Sequence, residues 1–286
     1  MRTFYATAFA DNVGIENKPI SGNPAGIVIC ENGLPAKEIM AKMAMEVQQP
    51  IVAFLNQREG NLFDMQFYFP DGEPCFLCGH GTLVSAYFIH QVYGFEEVIF
   101  KINGHELQIK CRVNGRQMVK AYLAAYTLVP MPAEKLPVYL KLLDLQPEDI
   151  VQSFYSMDLT DCVLVLKECN KMRALNPDYI RLSAQIRSDH FRAIMVTAAS
   201  ENESIDYEIR IFCPYVAEDE DISCGSANCY LLPYWKKALH EENRTEDLVI
   251  LCPFKPASKS FGGIEHGNYY AEKEQVSIAG YIHELQ

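Results

Sequence analysis

One arrangement occurs twice in this chain and limits its fold more than any other feature. A strand-like run ends, a Phe/Pro break follows, and a cysteine then precedes the small residue that opens a mostly apolar helix. The first copy reads Cys78-Gly79-His80-Gly81-Thr82, after the break at Phe69-Pro70. The second reads Ser223-Cys224-Gly225-Ser226-Ala227, after Phe212-Cys213-Pro214. A helix start is where several unpaired backbone N–H groups point together at an anion. Two such starts, each bearing a thiol, suggest a cleft that grips a carboxylate and works on the carbon beside it.

The first of these helices, read at 79–92, carries Leu83, Val84, Ala86, Tyr87, Phe88, Ile89 and Val92, apolar on nearly every side. Such a helix is a buried one. Short β runs at 97–102, 105–112 and 117–127 flank it, with Asn103-Gly104 and Asn114-Gly115 as hairpin turns. A helix enclosed by a curved antiparallel sheet is the expectation. Upstream, 3–10 and 25–30 read as strands, 35–46 as a helix with Ile39, Met40 and Met43 on one side, and 51–55 and 63–69 as strands.

The pattern then repeats. Helices are expected at 133–144 and 177–187, and strands at 161–167, 191–198 and 206–212. The second motif follows with its helix at 225–240, then strands at 247–252, 266–271 and 275–281. Pro233 inside the last helix predicts a kink there. Pro130, Pro132 and Pro137 mark 128–135 as the linker. The expected architecture is α+β, with two pseudo-symmetric lobes at 1–127 and 128–286. Each is a curved, mostly antiparallel sheet or barrel wrapped around a central helix, the last strand being a candidate to return to the N-terminal lobe.

Composition narrows the partners. Of 286 residues 49% are hydrophobic, enough for a large core, and the formal net charge is −12 with basic residues scattered. That balance argues against a nucleic-acid or anionic-membrane surface, so attraction for an anion must be local. No stretch approaches a membrane span, and the strand-like Arg2–Phe9 segment meets Asp11 too soon for a signal-peptide core. A cytoplasmic protein is expected, and the ten dispersed cysteines read as reduced thiols. Cys75-x-x-Cys78 has no second pair at matching spacing, so neither zinc nor a disulfide is expected.

Cys78 and Cys224 hold equivalent places, and a helix N-terminus lowers a thiol pKa, so together they form a candidate base/acid pair. His80 sits in the first helical turn, where the dipole favours a neutral imidazole. Glu46, between Met45 and Val47 near a helix end, is a candidate base whose pKa apolar company would raise. Asp221, nearest the second helix start in the run Glu218-Asp219-Glu220-Asp221, is best placed in that run to reach a ligand. These residues alone leave open that the thiols are merely packed, His80 a cap, and Glu46 a solvated helix end.

Taken together, these segments resemble the phenazine-biosynthesis PhzF-like family, within the diaminopimelate epimerase superfold. Gly22-Asn23-Pro24-Ala25-Gly26 looks like the family's GNP motif, and Cys78 to Thr82 like its GHxT helix start. Asp221 to Ala227 looks like D-P-x-T-G-S-A, and Leu232-Pro233-Tyr234-Trp235 like the kinked helix after it. Glu46 matches the proposed general base. The resemblance implies isomerase chemistry without cofactor or metal, an active site between two lobes, and often a homodimer. It implies that Glu46 moves the proton while His80, Asp221 and Ser226 orient a small carboxylate-bearing substrate. The Gly-rich helix starts, with Gly79, Gly81, Thr82, Gly225 and Ala227, and Asn23 of the GNP motif, would bind it.

Three departures matter. The family pattern E-x-N-x-S-E reads here Glu46-Val47-Gln48-Gln49-Pro50; Ile222 replaces Pro and Cys224 replaces Thr; and Lys255 to Ser260 lacks the usual Gly-Arg. Cys224 makes the second motif look like the two-thiol epimerases and proline racemases. The first expectation is therefore a Glu46-based isomerase. The alternatives are a racemase or epimerase using Cys78 and Cys224, and a small-acid binding protein without turnover. All rest on both motifs converging on one water-poor crevice, with Glu46 at its wall.

Overall fold

Where helices cover both sides of the sheet its strands are apolar on both faces, as at 52–55 and 162–166, and elsewhere, as at 97–102 and 108–114, buried residues alternate with more exposed ones. The computed structural model describes residues 1–102, 107–114, 117–215, 220–254 and 258–285, with backbone alone at 12 and 13. Its strands are β1 (Arg2–Ala8), β2 (Asp11–Ile15), β3 (Lys18–Ile20), β4 (Asn23–Ile29), β5 (Val52–Glu59), β6 (Leu62–Tyr68), β7 (Pro74–Cys75), β8 (Glu97–Ile102) and β9 (Gln108–Asn114). They continue with β10 (Met118–Ala124), β11 (Leu128–Pro130), β12 (Ile150–Ser156), β13 (Asp161–Leu166), β14 (Ala193–Ala199), β15 (Tyr207–Phe212), β16 (Leu248–Cys252), β17 (Gly263–Tyr270) and β18 (Gln275–Glu284). The helices are α1 (Lys37–Val47), α2 (Gly79–Tyr93), α3 (Leu136–Leu142), α4 (Cys169–Ala174), α5 (Tyr179–Ser188) and α6 (Asn228–Ala238).

Eight strands, in the order β1-β4-β5-β6-β8-β9-β10-β18, close into a barrel through the β1–β18 pairing. Within it lies α2, buried from Gly79 to Ile89. From β18 the sheet continues through β17, β16, β15, β14, β13 and β12 to β11, and α6 packs on β17 and β18. The last strand therefore belongs to both halves, pairing with β10, β1 and β17. This is the expected α+β architecture of curved, mostly antiparallel sheet around central helices.

Alternation along each strand sorts the core into layers. In β5, Ala53 and Leu55 join the central core, while Val52 and Phe54 face Met40 and Ala44 of α1. In β13, Val163 and Val165 point inward, and Cys162, Leu164 and Leu166 pack under α3, α4 and α5.

Several local expectations are corrected. Ile39 is exposed, because Met40 and Ala44 define the buried face of α1. The segment read as a linker contributes β11, paired to β12, and Pro130 is tolerated because β11 is the sheet's edge. The hairpin of β2 and β3, the strand β12 and the short helix α4 add to the expected elements; β2, β3 and α4 are too short to display a clear period, and the seven residues of β12 show no regular alternation of burial. Asn103, Gly104 and Gly115 of the expected turns, Glu218 and Asp219 of the acidic run, and 255–257 lie outside the described residues.

Candidate active site

The two motifs meet. Gly79 and Gly225 abut so closely that a Cβ on Gly79 would stand 2.8 Å from Gly225 Cα and 2.9 Å from Ser226 N. Only glycine allows this approach of two backbones. The first motif starts α2 directly, with Cys78 as N-cap and its Sγ accepting from Gly81 N at 3.4 Å. The second enters α6 through a short 3-10 turn, Gly225–Ala227. α6 then continues through Pro233.

A crevice of about 30 Å³ lies where they meet, lined by Cys78, Gly79, His80, Asp221, Cys224 and Ser226 together with Pro50, Ile51 and Arg192. It adjoins a wider chamber of about 530 Å³, the two sharing Phe69, Cys75, Leu77 and Arg192. Asn23 lies beneath: its Nδ2 donates to Asp221 Oδ1 and to Ser223 O, both at 2.7 Å, and stands 3.3 Å from His80 Nδ1. Gly81, Thr82, Gly225 and Ala227 build the helix starts without lining the crevice. Thr82 Oγ1 is committed to Cys78 O at 2.7 Å.

Glu46 is not at this wall. Its side chain is 66% exposed and pairs with Lys42 at 3.9 Å, a helical i,i+4 surface contact. The helix explains this: two residues beyond buried Ala44 is about 200° round the axis, on the solvent face. Laid on Glu46, the pattern E-x-N-x-S-E puts its second glutamate at position 51, where this chain has Ile51. Pro50 and Ile51 face the crevice with apolar surface.

Burial sets the ionisation of what remains. It pushes Cys78 well up and Cys224 up to about 12, with Arg192 pulling Cys224 back down. The expected lowering by the helix starts is outweighed by desolvation. Burial also moves His80 down to about 3, so the imidazole is neutral as expected. Asp221 is raised by burial to about 6; hydrogen bonds from Asn23 and from the Cys224 thiol, together with the Arg192 charge, oppose that rise.

The principal residue that sequence reasoning missed is Arg192. Its Nε donates to Asp161 Oδ1 at 2.9 Å, its Nη2 to Asp161 Oδ2, and its Nη1 to Ser226 Oγ at 3.0 Å. The same Nη1 is 3.9 Å from Cys224 Sγ. Tyr230 OH holds Asp161 from another side at 2.7 Å. A second missed group is Glu265, fully buried behind the second motif. It accepts from Ser223 Oγ and Asn228 Nδ2, each at 2.5 Å, and burial raises it to about 7.

All ten cysteines are free and buried. Among the described residues, no three His, Cys, Asp or Glu side chains are grouped to hold a metal ion. Among the same residues no helix is long and apolar enough to cross a membrane.

Comparison with known proteins bears on family and fold. An uncharacterized isomerase of Vibrio cholerae is 32% identical over 222 residues, covering 78% of this chain and 72% of that protein. A diaminopimelate epimerase of Campylobacter jejuni is 26% identical over 182 residues, 63% of this chain and 64% of its own length. The crystal structure of a phenazine biosynthesis protein of the PhzF family from Enterococcus faecalis superposes with a TM-score of 0.74 at 24% identity, covering 99% of this chain and 96% of that one. The family model described as phenazine biosynthesis-like protein matches residues 8–281, and the chain belongs to that family.

Proposed function

We propose that this protein is an isomerase that moves a proton at the carbon beside the carboxylate of a small acid, with Cys78 and Cys224 as the proton-moving pair. The observation that carries this reading is that both thiols line one crevice at abutting helix starts, while Glu46 lies on the solvent side of α1. One sulfur, as thiolate, takes the proton from carbon; the other, as thiol, supplies a proton from the opposite face. The two sulfurs exchange protonation states, and the stereocentre inverts.

Each step has a group suited to it. The first-turn amides of Gly79 and His80, without intrahelical partners by position, face an incoming carboxylate. Arg192 offsets negative charge on the Cys224 sulfur and on the carbanion as it forms. Neutral His80 donates or accepts without adding charge, and Asp221 orients the Cys224 thiol. No cofactor is required by this scheme. The sequence likeness to a protein named diaminopimelate epimerase supports it.

The test is solvent exchange. Amino and hydroxy acids are incubated with enzyme in deuterated water, and label and configuration at the α-carbon are read together. Label with inversion is expected, and Cys78→Ser or Cys224→Ser should lower interconversion by about 100-fold or more. Label with retained configuration, or full activity in either variant, would exclude the thiol pair. Binding with no exchange on any acid would favour a protein that keeps the cleft without turnover.

A further inference from the structure

The chamber beside the crevice is too large and too aromatic to be only an entrance. Resting on the reading above, we propose that it receives the substrate's side chain, and that this side chain is a planar aryl group. The crevice, at about 30 Å³, admits a carboxylate-sized head, so whatever lies beyond the reacting carbon must occupy the adjoining 530 Å³. The chamber's walls carry four aromatic rings: Phe69, Phe76, Phe191 and Tyr215. Planar groups are already layered there. The rings of Phe69 and Tyr215 stack at 6.0 Å with 26° between planes, and the Arg187 guanidinium lies 4.6 Å from the Tyr215 centroid.

Such walls reward a flat, polarizable partner, because offset-stacked and edge-on ring pairs gain more than area burial alone. The exposed rim carries both signs, Glu73 and Asp158 against Arg187. It therefore does not favour a second formal charge on the tail. Arg192 lines both spaces and stands where head and tail join.

Three small acids separate the possibilities. Pyrrole-2-carboxylate places a carboxylate on a trigonal carbon, the geometry of the carbanion. Indole-2-carboxylate adds a fused aryl ring, and 4,5,6,7-tetrahydroindole-2-carboxylate adds the same carbons without aromaticity. Calorimetric titration of the whole protein should show the indole binding at least about tenfold more tightly than the pyrrole, with the tetrahydro compound between them. In Tyr215→Ala and in Phe76→Ala, the latter at a partly exposed position, the indole advantage should shrink while pyrrole affinity holds. Equal affinity of indole and pyrrole overturns the chamber proposal and leaves the crevice reading intact. Equal affinity of indole and its tetrahydro form overturns the aryl assignment. Failure of all three to bind overturns the crevice reading and this proposal with it.

Discussion

Arg192 should determine how readily Cys224 ionises. Its Nη1 lies 3.9 Å from the sulfur, and its side chain is 19% exposed. Opposite unit charges at that separation attract by about 4 kcal/mol at an effective dielectric constant near 20. Asp161, bound to the same guanidinium, cancels part of that field, leaving roughly 2 kcal/mol, about 1.5 pKa units or a factor near 30 in thiolate. Removing Arg192 alone would strand a buried carboxylate at a cost of about 3–5 kcal/mol, so the variant to make is Arg192→Gln with Asp161→Asn. The assay is iodoacetamide alkylation across pH, with each cysteine followed by peptide mass spectrometry. Cys224 should react about 30-fold more slowly at a given pH, its profile displaced upward, and Arg192→Lys should fall between. Cys78, held by Gly81 N–H and a neutral imidazole, is the internal control and should change by less than about twofold. An unchanged Cys224 profile would refute the reasoning. So would equal slowing of both thiols, since that reports access rather than charge.

Glu46→Gln should leave proton exchange within about twofold of wild type and stability within about 0.5 kcal/mol, because it breaks only an exposed ion pair; thermal melts and exchange rates check both. Gly79→Ala drives a methyl into the Gly225 backbone, so a loss of about 1–3 kcal/mol, read as a lowered Tm, should accompany loss of exchange. Glu265, raised to about 7, keeps its proton longer in the folded than in the unfolded chain. Its contribution is complete below the ordinary carboxylate range and is lost as pH rises through about 7, a decline of about 3 kcal/mol. Glu265→Gln should remove that decline, so the variant should gain Tm relative to wild type between pH 5 and pH 8, as measured by calorimetry.

The motifs at 78–82 and 223–227 were legible because their signals are local: a break, a small residue, and an apolar run long enough to show its period. The barrel was legible through α2, whose all-round apolar surface demands enclosure. Glu46 misled because its neighbours along the chain are apolar, whereas its neighbours in space depend on which α1 face packs, and Met40 with Ala44 decide that. Arg192 was hidden for a related reason. Its partner Asp161 is distant in sequence and meets it only because β13 and β14 run parallel, with Asp161 level with Ala193. A weak signal existed: each of these apolar strands is headed by a single charge, of opposite sign. Glu265 gave less, since a carboxylate in a strand reads as solvent-facing until the second layer behind it is known.

The two helix starts bring Cys78 and Cys224 to one crevice. Mild oxidation of the reduced protein with diamide, followed by non-reducing peptide mapping, tests it without any substrate. A disulfide joining the peptides of Cys78 and Cys224 is expected, formed with loss of exchange activity and slowed by indole-2-carboxylate. Oxidation that links other cysteines while leaving these two unjoined would contradict it.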